Sequence, residues 1–463
     1  MKYHLKILTE HFNSLKEHLF PGDGLEAVSV LICGRANKGS SFLVHKVIHI
    51  PYNQCEREPD LINWSTTLIA DLLPNLVKKN LAIFKIHSHP GGYNQFSETD
   101  NRSDLDFFDS IYGWYDNENL HGSLVMLPND IIFGRIVTPE LQFESIDKIS
   151  IVGRTLTILE ENNSDFDKEL NLRNSQTLGE GTQNLLKNLT VGVVGCSGTG
   201  SPVIEQLARL GVGRLVLVDP DKIEFKNLNR IINSKKTDAE QGRLKVDVLK
   251  ESISEMGFST EVHTYATNLY DDMKAIEKLN TCDFIFGCVD SIDGRHLLNT
   301  ISSFYLIPYI DVGIKILSDK QGGIDQICGT IHYLTPGQSS LQTRGVYTHE
   351  MLRAANMLRS DSDEYKRQQK SGYIVDVDVE APAVISINMY ASSLAVNEFL
   401  SRVHEIKVDD VSGFDIIRFS LTDYYLMNER SSDQVDLFLI KNIGRGDMSP
   451  LLNMPEFSHV EKN

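Results

Sequence analysis

A chain of 463 residues exceeds one ordinary hydrophobic core and suits two or three domains, each large enough to bury its own. With 63 Asp and Glu against 45 Lys and Arg, the formal charge of -18 argues against a nucleic-acid binder, which would carry a basic stripe for phosphates. No apolar run is long enough to span a bilayer, and Met1 to Phe12 holds no continuous apolar h-region, so a cytoplasmic protein is expected.

The first apolar runs, Val28 to Cys33, Phe42 to Ile50 and Leu81 to Ile86, are short, rich in Val, Ile and Phe, and divided by turn residues, which predicts strands. From Trp64 to Lys79, the residues Leu68, Leu72, Leu73, Leu76 and Val77 recur at helical spacing, while Pro74 predicts a kink or an early end. These elements make an α+β domain to about Thr138, within residues 1–150. The polar, acidic stretch Glu160 to Asp167 predicts a linker, and 151–185 is assigned to it and to an N-terminal arm of the next domain. Val191 to Val194 reads as a buried strand, Pro202 to Leu210 as a helix opened by proline and stopped by Gly211, and Arg214 to Val218 as a second strand, together a βαβ unit. Strands at Phe284 to Gly287 and Tyr309 to Val312 extend it, so residues 186–430 are predicted to form a mostly parallel, doubly wound, Rossmann-like domain with helices on both faces. Leu341 to Ser371 suits either a mobile crossover segment or a surface helix, and Val384 to Leu400 a helix buried on most sides. Residues 431–463 are expected to be a peripheral tail, and the class overall is α/β.

His87, Ser88, His89 and Pro90 are followed by Ser97 and Asp100. Two imidazoles and one carboxylate are typical ligands of catalytic zinc, with the fourth position left to a water whose pKa the metal lowers. His87 and His89 are two apart, which points both rings to one face if they end the strand from Leu81. Glu26, just before the strand Val28 to Cys33, is a candidate general base, and the Ser97 hydroxyl could donate to a developing oxyanion. This constellation resembles the JAMM or JAB isopeptidases over roughly residues 1 to 140. The resemblance implies zinc on His87, His89 and Asp100, with Glu26 as base and Ser97 as transition-state donor. It also implies hydrolysis of amide bonds after the C-terminal glycine of ubiquitin-like proteins; an inactive relic is the alternative.

The loop Gly195-Cys-Ser-Gly198-Thr-Gly200 lies between strand and helix, where backbone N–H groups face phosphate oxygens. Its pattern G-x-x-G-x-G is not the dinucleotide fingerprint, which disfavours a nicotinamide enzyme, although Asp219 at the end of the next strand is placed to hold a ribose hydroxyl. Asn227, Arg230 and Lys245 supply groups suited to a triphosphate, and Asp290 follows another strand where it could hold magnesium. VGVVGCSGTGS, VDPDKIEFKNLNR, the GRLK ending at Lys245 and CVDSIDGR resemble the MoeB, ThiF and ubiquitin-activating enzyme family from about Arg173 to Leu400. The resemblance assigns ATP with Mg2+ to this domain: Asp219 to ribose, Arg230 and Lys245 to phosphates, Asp290 to magnesium. It makes Arg173 the counterpart of an arginine entering the partner subunit's site, hence a symmetric homodimer.

Two departures stand out. Where many relatives place a zinc-binding C-x-x-C, this chain has Pro336-Gly-Gln-Ser339-Ser340-Leu-Gln342, and no C-x-x-C pair occurs among its six cysteines, which are expected to be reduced, mostly buried thiols. No cysteine follows Cys328, itself in a strand-like run and expected to be buried and inert, which leaves the usual thioester step without a thiol; Ser339 and Ser340 are poor substitutes. The combined expectation is an enzyme that trims or removes a ubiquitin-like protein and adenylates its C-terminus, with a separate conjugating enzyme or sulfur donor as further partner. Family analogy adds antiviral defence. Sulfur-carrier activation is the second reading, and a scaffold with two retired sites the third.

Overall fold

The structure is a computed structural model describing residues 2–115, 118–160, 169–319, 321–371, 377, 382–404, 406–407, 413–431 and 434–458. The expected α/β class is what it has. Two compact units are present: Met1–Glu161 with Phe304–Leu306 and Asn442–Asn463, and Asn162–Ser303 with Ile307–Lys441. The expected linker lies, apart from Glu160, outside the described residues.

The first unit is built on a nine-stranded mixed sheet in the order Leu156–Glu160, Lys148–Val152, His4–Leu8, Ser41–His49, Val28–Ala36, Ala82–Ser88, His121–Met126, Ile132–Val137, Phe143–Ser145. Its central strands read as continuous apolar runs because both faces are covered. Leu31, Cys33, Phe84 and Ile86 pack on one side with Phe12, Leu15 and Leu19 of the helix Thr9–Leu19. Val28, Val30, Ile32 and Ile83 pack on the other with Phe107, Phe108 and Ile111 of the helix Glu98–Trp114. The expected helix from Trp64 to Lys79 is broken. Trp64 ends a strand, Ile62–Trp64, paired with Cys55–Arg57, and the helical part is split into Thr67–Ala70 and Leu73–Lys78. Pro74 sits in the first turn of the second piece, where a missing N–H costs nothing.

The expected peripheral tail is also corrected. Leu437–Lys441 is helical, and the described residues 442–458 cluster with the first unit, where Leu452 and Phe457 are buried. Asp447 N–H donates to Arg35 O at 2.7 Å, and a Cβ on Gly446 (φ +62°) would lie 2.8 Å from the Arg35 carbonyl carbon, so the close approach requires glycine.

In the second unit, five parallel strands run in the order Glu261–Tyr265, Arg214–Val218, Thr190–Val194, Phe284–Gly287, Tyr309–Ser318, and three antiparallel strands, Ile324–Leu334, Ile416–Ser420 and Tyr425–Glu429, extend the edge. The chain order reverses between Thr190–Val194 and Phe284–Gly287. Such a switch point opens a crevice at the carboxyl ends of the strands, where ligands of doubly wound sheets bind. The polar segment after Leu341 resolves into helices His349–Ser360 and Ser362–Lys370, and the apolar run forms the helix Ile385–Val403. No helix among the described residues is long and apolar enough to cross a membrane.

Candidate functional site

In the first unit, the strand Ala82–Ser88 delivers His87 and His89 to the carboxyl end of the sheet, both under 6% exposed. Their Nε2 atoms lie 3.1 Å apart. The Nδ1 of His89 is bonded to Tyr93 O at 2.7 Å, which fixes its ring and leaves Nε2 for a ligand. Asp100 meets both rings, Oδ1 at 2.9 Å from His87 Nε2 and Oδ2 at 3.4 Å from His89 Nε2. Glu26 Oε1 stands 4.0 Å from His89 Nε2. The backbone around Glu26 is clamped: Glu26 N–H donates to Glu58 O, Arg57 Nε donates to Glu26 O, and Ala27 N–H donates to Ser88 Oγ.

The residues fit a metal ion. Nitrogens bound tetrahedrally at about 2.0–2.1 Å sit about 3.3 Å apart, close to the spacing of the two rings, and Glu26, His87 and His89 offer donor atoms all within 4.8 Å of one another. Ser97 also has a structural part in the site. Its hydroxyl donates to Asp100 Oδ2 at 2.7 Å and accepts from Asp100 N–H at 3.0 Å, closing a capping box at the start of Glu98–Trp114 that also orients the Asp100 carboxylate.

Burial pushes Glu26 up to about 8, with His89 opposing and Asp100 adding to the shift. Burial also pushes His87 down, against the hydrogen bond that its ring donates to Asp100. Burial works against charge on His89 too, but Asp100, the Tyr93 carbonyl and Glu26 outweigh it and raise that ring. Although burial opposes it, Asp100 is held far below the usual carboxylate range by the two histidines and Ser97.

Sequence reasoning missed the support behind this site. Lys85, two residues before His87 on the same strand, pairs with Asp104, which also accepts Arg135 Nε and Nη2 at 3.1 and 2.7 Å. Arg135 is stacked between Phe96 and Phe143, 3.7 Å from each ring centroid. The alternation of Lys85 with His87 and the i,i+4 spacing of Asp100 and Asp104 were the available signals; Arg135 left none.

In the second unit, the loop after Thr190–Val194 and the residues after Phe284–Gly287 meet at the switch point. Gly195 (φ +87°) passes so close to Cys288 O that a Cβ would lie 2.5 Å from it. Gly200 opens the helix Gly200–Arg209, packed against Gly195 O. Asp219, buried, accepts Cys196 N–H at 2.7 Å and Asp221 N–H at 2.9 Å, tying the loop to the end of the next strand. Burial raises its pKa, against the charge of Lys245. Lys245 Nζ is 3.5 Å from Asp219 and 2.7 Å from Asp221. Arg230 reaches over the loop, its Cδ 3.2 Å from where a Gly198 Cβ would sit, with Nη1 donating to Lys226 O. Asn227 is buried and accepts Glu224 N–H at 2.9 Å, so its amide shapes the local turn.

Asp290 is exposed beyond Phe284–Gly287. Arg173 is exposed in Leu172–Asn188, where it donates to Gln176 Oε1 at 3.1 Å. Two residues not anticipated reach the loop from Ile385–Val403: Asn388 crowds Gly198, and Ser392 Oγ donates to Thr199 O at 2.8 Å. Ser339 and Ser340 are buried and bonded, the latter to Asp436 at 2.8 Å, whereas Cys328, expected buried, is partly exposed. Burial drives the thiols of Cys196 and Cys288 upward, away from thiolate chemistry.

Together these features define the class: a Rossmann-like domain with a glycine loop at its switch point, in one chain with a mixed-sheet domain holding a His, His, carboxylate cluster. Residues 170–424, more than half of the chain, match the ThiF family, and the chain belongs to it. Residues 8–128 match the prokaryotic homologs of the JAB domain. The chain is similar to the adenylyltransferase and sulfurtransferase MOCS3 of Danio rerio, 31% identical over 166 residues that cover 36% of this chain and 35% of that one. It is also similar to ubiquitin-like modifier-activating enzyme 5 of Gallus gallus, 26% identical over 166 residues that cover 34% and 39%. The chain thus spans little more than a third of the length of these relatives. A solved structure, E. coli MccB with ATP, is similar at a TM-score of 0.44 and 18% identity, covering 60% of this chain and 75% of that one.

Proposed function

We propose that the chain is a two-headed enzyme acting on the C-terminus of a ubiquitin-like protein. The second unit adenylates that C-terminus. A carboxylate is a poor electrophile; its oxygen attacks the α-phosphorus of ATP, the bond to the bridging oxygen breaks, and pyrophosphate leaves, giving a mixed anhydride. The loop Gly195 to Gly200 and the N-terminus of its helix would face the phosphates, Asp219 the ribose, and Lys245 and Arg230, with Asn227, the charge on the phosphates. Asp290 would hold Mg2+, and Arg173 would act across a homodimer. The observation that carries the reading is the convergence of Gly195, Asp219, Lys245 and Arg230 at the switch point in a chain of the ThiF family.

The first unit would hydrolyse the peptide or isopeptide bond after the terminal glycine. Zinc held by His87, His89 and Asp100 would supply Lewis acidity. Glu26, whose pKa burial raises towards neutrality and beyond, to about 8, would take up and return protons at Oε1 in its ionised form, and Ser97 would donate once released from Asp100. The supporting observation is the cluster of Glu26, His87 and His89, with Asp100 against both rings, within the JAB-matching residues.

The test follows the intact mass of candidate ubiquitin-like proteins bearing a short C-terminal extension, mixed with the enzyme, zinc and Mg-ATP. Loss of the extension and then gain of AMP is expected, the first step lost in Glu26→Ala and the second in Asp290→Ala. Unchanged mass and background pyrophosphate exchange across all candidates would favour the scaffold. Sulfur-carrier activation is the second reading, favoured by similarity to a protein named a sulfurtransferase; transfer of sulfur from a persulfide donor to the adenylate would distinguish it.

A further inference from the structure

Where the sheet of the second unit turns from parallel to antiparallel, one face forms the floor of a cavity of about 330 Å3. The register sets Asp311 opposite His332 and Gly313 opposite Thr330, so all four share that face, and all four line the cavity. Gly313 leaves the floor open between its neighbours. Arg295 and Arg344 form walls.

Two buried polar atoms on the floor have no hydrogen-bond partner among the described residues: Asp311 Oδ2 and His332 Nδ1, on side chains 1% and 6% exposed. The other Asp311 oxygen is already engaged by Tyr309 Oη at 2.8 Å and Arg295 Nε at 3.5 Å. Of the cations that line the cavity, Arg295 is paired with Asp311, Arg344 with Asp415 at 2.7 Å and Arg418 with Glu429 at 2.9 Å, while the charge of Lys315 is exposed to solvent. What remains unmet is hydrogen-bonding capacity, not charge. A buried polar group without a partner bears its full desolvation penalty, and a ligand offering both a donor and an acceptor would remove two such penalties at once. Burial, with the charges of Arg344, Arg295 and Arg418, lowers the pKa of His332, and burial raises that of Asp311 against the pull of Arg295.

Arg295 also ties the cavity to the reaction centre, because its Nε donates to Val289 O at 3.2 Å, the residue before Asp290. We propose that this cavity receives one side chain of the peptide tail that is adenylated, a short distance upstream of the reacting carboxylate, and that Asp311 and His332 select a neutral amide or hydroxyl side chain there. The inference rests on the activation reading for its occupant, but binding tests it separately.

The probe is a set of fluorescein-labelled alanine hexapeptides ending in glycine, with one asparagine walked through the upstream positions. Affinity is read by anisotropy without ATP, and activation by ATP–pyrophosphate exchange. At one position asparagine should bind at least about tenfold tighter than alanine, the worth of about 1.4 kcal/mol. Glutamine or serine should retain part of that gain, and leucine, aspartate or lysine none. Gly313→Val, which fills the floor, and Asp311→Asn should both abolish the gain. A Cβ at Gly313 meets its nearest neighbour, Arg295 Nη2, at 3.4 Å, an ordinary contact, so a side chain starts there without a backbone clash, and the urea midpoint of Gly313→Val checks that it folds. No binding by any peptide, no asparagine preference, or a preference untouched by Gly313→Val would overturn the inference. Exchange without asparagine preference would leave activation standing and sink the cavity reading; a position-specific asparagine gain without any exchange would do the reverse.

Discussion

The two candidate centres are prepared to different degrees. Around His87 and His89, four side chains already sit within 4.0 Å of their neighbours, buried, with Asp100 oriented by Ser97. At the glycine loop, only the protein's own frame is assembled: Asp219 ties the loop, while Lys245 leans on Asp221, Arg230 on a backbone carbonyl, and Asp290 and Arg173 are exposed. Charge explains the difference. A cation can be held only where lone pairs already converge, and the Asp100 bonds to both rings stabilise that convergence. A triphosphate brings its own anions, so on the proposed reading the cations that would meet it can rest on local acceptors beforehand.

The largest expected effects break the first centre. His87→Ala should reduce bound zinc from about one equivalent to background by elemental analysis, and hydrolysis with it, while ATP–pyrophosphate exchange continues. Glu26→Gln should keep zinc yet slow hydrolysis by about 10²–10⁴-fold, the usual contribution of a general base. If Glu26→Gln lost the metal and Asp100→Asn kept it, the two carboxylates would exchange roles.

Next comes the support behind that centre. Lys85 and Arg135 are nearly buried and share Asp104, which is fully buried. Although burial opposes it, the two cations hold the Asp104 carboxyl below its ordinary value. Asp104→Ala would strand both cations and should destabilise the first unit by about 3–5 kcal/mol, the range for a broken buried pair, visible as a lower urea midpoint. A change under about 1 kcal/mol, the worth of an exposed pair, would mean that water reaches them.

What the sequence made legible was local. The buried strands announced themselves as apolar runs because both sheet faces are covered, and the glycine loop carried its spacing in eleven adjacent letters, VGVVGCSGTGS. His87, His89 and Asp100 lie close enough in the chain for spacing to group them. Arg135 packing behind Asp104, Asn388 and Ser392 reaching the loop, and the last residues packing at Arg35 all depend on contacts distant in the chain, which no period records. Ser97 carries a second meaning that the motif hid: a serine three residues before an acid also spells a helix cap, and the capping bond is made here. Pro74 marked the break in the helical stretch, because proline ends a helix from inside but is welcome in the first turn of the next.

The second centre offers a sharper probe. If Lys245 is a phosphate ligand resting on Asp221, Lys245→Met should weaken ATP binding by about 1.5–3 kcal/mol, as for a lost hydrogen bond to a charged group, whereas Asp221→Asn should strengthen it slightly by freeing the ammonium. Equal weakening by both, measured by calorimetry, would make Asp221 part of the nucleotide site and remove the contrast with the metal centre.

The last effect concerns the cost of preassembly and is read without metal. Burial lifts the folded-state value of Glu26 from 4.5 to about 8, so folding takes up a proton between those limits. The native state binds more protons than the unfolded chain there, and stability therefore falls as pH rises through that window, its full contribution being present below 4.5. Glu26→Gln cannot ionise and lacks this slope. In chelator-treated protein the variant should gain on the wild type as pH climbs from about 5 to 8 and hold a constant lead above, followed by thermal melts of both proteins at matched ionic strength. Parallel curves would mean that water screens the carboxylate after all, leaving Glu26 no better prepared for its proton than the exposed Asp290 is for its cation.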